Sequence, residues 1–344
     1  MNKIFINKMK LLVTGGAGFI GSNFIRYWMK KYPKDKIVNL DKLTYAGNLE
    51  NLKDIDKSKN YQFVKGDVRN PKDVEKAIKG INLIVHFAAE SHVDRSLFAA
   101  EEFFTTNVLG TNVLCELAVK HKVKRFHYIG TDEVFGALPL KSKNKFKETT
   151  KFDPRNQYSA SKASAEHVVN SYFHTTDLQT TITNCTNNFG PYQHPEKFIP
   201  LFITNLIEDK KVPMYGDGLY VRDWLYVEDH CRAIDLAIKK GEIGESYLVG
   251  ALHKEVSNLD LTKMILNILG KDESYIEHVK DRPAHDRRYA VDWSKIKRLG
   301  WEPKHDLNTW LIKTVEWYKE NETWWKRVKS GQYKKYYKKM YGKR

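Results

Sequence analysis

Two short constellations in this 344-residue chain combine residue types that move protons. Tyr158 and Lys162 stand four apart in the run Tyr158-Ser159-Ala160-Ser161-Lys162. On a helix, residues i and i+4 share a face, so the ammonium would lie beside the phenol. An ammonium stabilises a tyrosinate, and bringing a phenol from about 10 to near neutrality requires roughly 4 kcal/mol. Such a tyrosine is a candidate base for a hydroxyl proton, although the spacing alone also occurs on solvated helices. The second constellation is Thr131-Asp132-Glu133, directly after an apolar run. Taken alone, two adjacent acids suit a solvated loop. Beside a base they gain a purpose: one can take a carbon-bound proton while the other protonates a departing hydroxyl, which together eliminate water.

A third pattern supplies the context. Thr14-Gly15-Gly16-Ala17-Gly18-Phe19-Ile20-Gly21 follows a short apolar run and opens a helical stretch. It satisfies GxGxxG as Gly16, Gly18 and Gly21, and GxxGxxG as Gly15, Gly18 and Gly21. Glycines let such a turn tighten, let backbone N–H groups approach a pyrophosphate and let helix pack on strand. The helix N-terminus then favours the phosphate charge. Asp41 ends the second apolar run, twenty residues after Gly21. An acid there takes the adenosine ribose hydroxyls and repels a 2′-phosphate. The pattern predicts a dinucleotide site that prefers NAD to NADP, with Lys42 as the one neighbouring charge that opposes this preference. Downstream of such a fingerprint, Tyr158 and Lys162 read as a hydride-transfer base and its partner.

The elements that must hold these groups alternate. Strands are expected at Lys10–Thr14, 37–40, Tyr61–Lys65, 82–88 and 125–130, and helices at Phe19–Lys31 and 103–121. Short continuous apolar runs such as Leu83-Ile84-Val85-His86-Phe87 mark buried parallel strands. The expected fold class is therefore α/β, a Rossmann-type doubly wound parallel sheet with a smaller C-terminal substrate-binding lobe. Past residue 180 the order is less regular, and Pro191, Pro195, Pro200 and Pro213 mark turns. The expected division is 1–185 for the dinucleotide-binding domain, with later segments returning to it, 186–330 for the smaller lobe, and 331–344 for a basic tail.

Composition narrows the class. With 41% hydrophobic and 29% charged residues the chain is neither disordered nor of low complexity. The formal charge of +16 invites a nucleic-acid reading, but residues 326–344 hold nine Lys/Arg and no acid, so much of the excess sits in one tail. That tail is read as a solvated segment, and nucleic acid is not the expected partner. Cys115, Cys185 and Cys231 fit no CxxC spacing and are odd in number, which points to a reducing, cytoplasmic setting. The twelve histidines form no HExxH pair, and no metal site is expected. No stretch approaches the ~20 apolar residues of a membrane helix, so a soluble protein is expected.

Taken in order, the motifs resemble the extended short-chain dehydrogenase/reductase superfamily and, within it, the dTDP-glucose 4,6-dehydratase family. The resemblance runs from about residue 10 to about residue 333. It includes DKLTYAGNL at 41–49, AAESHVDRS at 88–96, TDEV at 131–134, YSASK at 158–162, NNFGP at 187–191, PEK at 195–197, RDWLYVED at 222–229 and DRP at 281–283. It implies a reaction in which Tyr158, helped by Thr131, takes the sugar 4-hydroxyl proton while NAD accepts hydride from C4. Glu133 would then remove the C5 proton, Asp132 would protonate the leaving C6 hydroxyl, and hydride would return to C6. NAD contacts are implied at Gly15, Gly18, Phe19, Ile20, Gly21, Asp41, Lys42, Leu43, Thr44, Asp67, Val68, Phe87, Ala88, Ala89, Ser91, Thr106, Tyr158, Lys162 and Asn188. Nucleotide-sugar contacts are implied at Ser91, Thr131, Asn187, Lys197, Phe198, Pro213, Tyr215, Arg222, Asn258, Asp281, Arg282 and His285. Lys197, Arg222 and Arg282 also suit diphosphate oxygens on chemical grounds. Ala284, Phe135, Phe189 and the Arg155-Asn156-Gln157 run depart from the family pattern without touching the catalytic set. UDP-glucose 4,6-dehydratases share those catalytic residues, whereas Arg95-Ser96 and the 281–289 run lean toward dTDP. A non-catalytic NAD-sensing or nucleic-acid-binding protein on the same fold is the alternative of a different class. Intact Tyr158, Lys162, Asp132 and Glu133 argue against it. The resemblance also implies a homodimer, with 103–121 and the Tyr158 helix at its interface.

Overall fold

In the computed structural model, residues 8–251, 255–281 and 285–330 are described. Six strands come first: β1 (Lys10–Thr14), β2 (Lys36–Asp41), β3 (Tyr61–Lys65), β4 (Leu83–His86), β5 (Arg125–Thr131) and β6 (Gln179–Cys185). Four short strands follow, β7 (Asn187–Phe189), β8 (Val212–Tyr215), β9 (Val221–Arg222) and β10 (Trp224–Tyr226), then β11 (Ser246–Val249), β12 (Val256–Ser257) and β13 (Ile276–Val279). Seven of them form one sheet in the order β11-β6-β5-β4-β1-β2-β3, with every pairing parallel.

Side-chain alternation along the strands explains the two covered faces. Leu12, Ile84, Phe126 and Tyr128 point to one face, where they pack beneath the helices Pro71–Ile78, Gly110–Lys120 and Gln157–Thr175. Leu11, Val13, Leu83 and Val85 point to the other, against the helices Phe19–Lys31 and Val227–Lys240. A strand buried on both faces must read as a continuous apolar run, and all four residues of β4 are buried. A separate apolar cluster joins the helices Phe198–Ile207, Asn258–Leu269, Leu307–Glu320 and Glu322–Val328, with Met214 of β8 and Trp224 of β10.

Local differences from the sequence expectation fall at the cleft. The helix expected at 103–121 is three pieces: Ala100–Phe104, a π-helical turn at Thr105–Leu109, and Gly110–Lys120. The wide turn keeps the 3.6-residue polarity pattern nearly intact, so periodicity does not reveal it. β4 stops at His86 rather than running to Ala88: Phe87 N makes the last ladder bond, to Thr14 O, and Ala88 N turns to the Thr14 hydroxyl at 3.3 Å. β5 runs one residue further than expected, so Thr131 is at once its last residue and the cap of the turn Asp132–Phe135. No described helix is long and apolar enough to cross a membrane.

Candidate active site

The order of the sheet reverses at β1, which lies between β4 and β2. Open parallel sheets take their ligands outside the carboxyl ends of the strands at such a point. The cleft found there is lined by the glycine turn, the ends of β2 and β5, the segment Phe87–Ser91, Tyr158, Lys162 and the 185–197 segment.

The glycine turn is shaped by close approach. Gly15 has φ +70°, and a Cβ there would stand 2.6 Å from Ala88 N. A Cβ on Gly21 would stand 2.4 Å from Gly15 O. Gly18 caps the helix Phe19–Lys31, and its N–H donates to Gly15 O at 3.1 Å. Gly16 packs inward instead, where a Cβ would meet Asn39 Oδ1 at 2.4 Å and Ile25 Cδ1 at 2.5 Å. Of the two registers, Gly15, Gly18 and Gly21 therefore face the cleft. A bare backbone cradle leading into a helix N-terminus fits a pyrophosphate.

Asp41 is buried at the end of β2, where Oδ1 accepts from Leu43 N at 2.8 Å and Oδ2 from Ala17 N at 2.9 Å. Each oxygen keeps a second lone pair for a ribose hydroxyl. Burial pushes this carboxyl up, and the two backbone amides pull it back. Lys42 lies 3.1 Å from Asp67, which Arg69 also binds at 2.8 Å. Burial would raise Asp67, but Arg69 and Lys42 hold it at about 2. The charge that opposed the NAD preference is thus engaged by an acid that it shares with Arg69. Thr106 lies in the π-helical turn, and its neighbour Asn107 ties that turn to Glu90 O at 3.0 Å and to Ser161 Oγ at 2.8 Å.

The proton-moving groups converge on the other side of the cleft. Asn156 and Ser159 form a capping box that starts the helix Gln157–Thr175 and fixes Tyr158 in its first turn. Lys162, one turn on, donates to Ile129 O at 2.6 Å and lies 4.2 Å from the Tyr128 ring centroid. Burial drives this lysine down to about 8. Burial, then the Glu133 carboxylate, pushes Tyr158 well up, while a hydrogen bond with Thr131 pulls it down. Thr131 Oγ1 accepts from Glu133 N at 3.3 Å, which pins the turn carrying both acids. Asp132 is 2% exposed, and its Oδ2 is buried with no hydrogen-bond partner among the described residues. Burial, then Glu133 and Asp223, pushes its carboxyl well up. A carboxyl raised in this way favours its protonated form, the state a general acid needs.

Of the residues expected at the cofactor, all but Leu43 line the cleft; Leu43 stands behind and braces Asp41 through its amide. Of those expected at the substrate, Ser91, Thr131, Asn187 and Lys197 line it, and Lys197 Nζ donates to Ser91 O at 2.6 Å. Phe198, Pro213, Tyr215, Arg222, Asn258, Asp281 and His285 do not line it. They form a second group in the C-terminal lobe. There His285 bonds Asp281 at 2.8 Å and stacks on Tyr220 at 3.7 Å, and Tyr220 meets Asp281. Tyr215 Oη donates to Asp94 Oδ2 at 3.1 Å, and the Arg222 guanidinium lies 4.3 Å from the Tyr289 ring centroid while donating to Asp286 O. Phe198 stacks on Phe202, and Pro213 sits within β8. The Asn258 and Asn187 Oδ1 atoms are buried with no hydrogen-bond partner among the described residues. Arg282 lies outside the described residues. Glu90, Cys185, Thr186, Gln193, His194 and Glu196 also line the cleft and were not singled out in the sequence. Glu90 and Glu196 do lie inside the quoted 88–96 and 195–197 motifs, a signal that could have found them.

The family model described as GDP-mannose 4,6 dehydratase matches residues 12–314. The chain is 45% identical over 359 aligned residues to the dTDP-glucose 4,6-dehydratase of Salmonella typhimurium, covering 97% of this chain and 99% of that one. It is 48% identical to the low-salt glycan biosynthesis protein Agl12 of Haloferax volcanii, covering 90% and 98%. The crystal structure of DesIV, a dTDP-glucose 4,6-dehydratase from Streptomyces venezuelae with NAD and dTDP bound, matches with a TM-score of 0.90 and 45% identity, covering 93% of this chain and 100% of that one. Likeness of this depth over nearly the full length of both partners shows that the chain belongs to the dTDP-glucose 4,6-dehydratase family.

Proposed function

We propose that this protein is an NAD-dependent hydro-lyase that converts dTDP-glucose into its 4-keto-6-deoxy derivative. The observation that carries this reading is the Asp132–Glu133 pair in one cleft with Tyr158, the carboxyl of its first member pushed up by burial. Oxidation or epimerisation at C4 needs the tyrosine alone, whereas loss of water needs an acid and a base besides.

NAD, held by the glycine cradle, Asp41 and the Phe87–Ser91 segment, supplies a reversible hydride acceptor for C4 and a hydride donor for C6. Tyr158 takes the 4-hydroxyl proton. The Lys162 ammonium and the positive nicotinamide offset the burial that otherwise keeps this phenol protonated. The new ketone acidifies the C5 hydrogen, which Glu133 removes as the C6 hydroxyl leaves with the Asp132 proton, completing one water. Glu133 exchanges this proton with solvent and returns one to C5 when C6 is reduced. The proton left on Tyr158 balances the one Asp132 lost, so exchange with solvent resets the site.

Thymine over uracil is the finer part of the reading, supported by the relatives' names. Parallel turnover of dTDP-glucose and UDP-glucose by the full chain tests it. A preference for dTDP-glucose is expected, and equal or reversed turnover would overturn it. The reading also includes a homodimer, supported by Phe104 and Leu109, which are 39% and 57% exposed on the helical stretch expected to pair. A cytoplasmic setting is part of it too, supported by three buried, free cysteines.

A further inference from the structure

The helix of Tyr158 and Lys162 carries another buried ionisable group, one the chemistry above leaves unused. Glu166 stands one turn beyond Lys162 and is 3% exposed. Its Oε2 accepts from Asn184 Nδ2 at 2.8 Å, and its Oε1 from Ser246 Oγ at 3.3 Å. Asn184 lies on β6 and Ser246 on β11, and Asn184 Nδ2 also reaches Thr131 O at 3.3 Å. Gly130 permits this approach, because a Cβ there would stand 2.5 Å from Asn184 Nδ2 and 3.3 Å from Glu166 Oε2. A carboxyl so deep is costly to bury. Helix stability gives no reason for it, since lysine before glutamate at i, i+4 is the weaker order of the pair.

Resting on the Tyr158–Lys162 reading above, we propose that Glu166 is a positioning residue for the first chemical step. It is the buried counter-charge that keeps Lys162 an ammonium and, through Asn184, the brace that fixes the strand end carrying Thr131, Asp132 and Glu133. Lys162 is faced by His86 from β4, Tyr128 from β5, Cys185 from β6 and Glu166 from its own helix. Glu166 is faced by Tyr128, Asn184, Ser246 and Lys162. Burial keeps His86 neutral at about 3, lifts the Cys185 thiol to about 12 and pushes the Tyr128 phenol well up. Of these groups, Glu166 is the one that ionises to an anion near neutral pH, with burial placing it at about 7 against the opposing pull of Asn184 and Lys162.

The test uses full-length, NAD-loaded protein and the substitutions Glu166→Gln and Glu166→Asp. Glu166→Gln should move the alkaline limb of the kcat profile for dTDP-glucose to lower pH by about one unit, a roughly tenfold loss above that limb. KM should stay within about twofold, and Glu166→Asp should fall in between because it keeps the charge. Melting temperature gives a readout independent of turnover. A carboxyl with a raised pKa stabilises only while protonated, so wild type should lose melting temperature relative to Glu166→Gln as pH rises from about 5 to about 8. Limbs unmoved in both variants would overturn the proposal. So would equal kcat losses at every pH in both, with a pH-independent drop in melting temperature, the mark of packing alone. Should Glu166→Gln fail to fold, the limb of Glu166→Asp decides by itself. Wild type that turns over no dTDP-glucose would instead overturn the function reading, with the melting profiles still deciding the coupling.

Discussion

Replacing Asp132 with asparagine separates what this side chain does for chemistry from what it costs the fold. The residue is 2% exposed, and burial together with Glu133 and Asp223 pushes its carboxyl well up. Asparagine is a neutral group of the same shape, so Asp132→Asn removes the titration while keeping the packing. The sign of the stability effect follows from the raised pKa. The contribution of such a group is fully present below the ordinary carboxyl value of about 3.9 and is lost as pH rises through the folded-state value, at up to about 1.4 kcal/mol per pH unit. Asparagine carries no such loss. The variant should therefore gain on wild type in melting temperature as pH rises above about 4. Catalysis should move the other way, because the variant has no proton for the leaving hydroxyl. A lost general acid costs on the order of 10²–10⁴ in rate, or about 2.7–5.4 kcal/mol. The assay is single-turnover absorbance of enzyme-bound NADH with dTDP-glucose, followed by mass analysis of the sugar in heavy water. NADH should form, some deuterium should enter C5, and the C6 hydroxyl should remain. Product formation within tenfold of wild type, or a stability difference that does not change with pH, would refute the reasoning.

Three further outcomes follow from the same geometry. Glu133→Gln should still form NADH but fail to exchange C5 hydrogen with solvent; normal exchange would remove the base role from that residue. Wild type stripped of cofactor should bind NAD far more tightly than NADP, and Asp41→Ala should narrow the gap, as titration of both cofactors will show; equal affinities in wild type would contradict the role of Asp41. Gly15→Ala must adopt φ +70° with its Cβ against Ala88 N, at a conformational cost of about 1–3 kcal/mol before any displacement. It should lose NAD at least tenfold more readily on dialysis, and unchanged retention would show that the turn does not form the cradle.

The groups legible in the sequence are those whose function depends on local spacing. Glycines at 15, 18 and 21, the i, i+4 pair of Tyr158 and Lys162, and adjacent acids at a strand end all act within a few residues of chain. A parallel strand buried on both faces also declares itself, as Leu83–His86 does. Glu166 illustrates the opposite case. A glutamate on a helix reads as a solvated residue until Asn184 and Ser246, on strands far along the chain, are folded around it. His194 and Gln193 reach the cleft because the chain turns back after β7, where Gln193 Nε2 donates to Asn188 O at 2.8 Å. The π-helical turn at Thr105–Leu109 depends on one widened loop of backbone that leaves no mark on residue type. In the C-terminal lobe, the Tyr220–His285–Asp281 cluster joins segments some sixty residues apart, with Asp281 and His285 in a polar run where no periodicity could signal it.

The most direct measurement follows one hydrogen. Full-length enzyme is given dTDP-glucose carrying deuterium at C4, in ordinary water, and the product is analysed by NMR and mass spectrometry. Internal oxidation, elimination and return predict that the deuterium appears on C6 of a 4-keto-6-deoxy sugar, with a solvent hydrogen at C5. Deuterium retained at C4 of an unreduced hexose, or lost to solvent, would contradict a dehydratase built on Tyr158, Asp132 and Glu133.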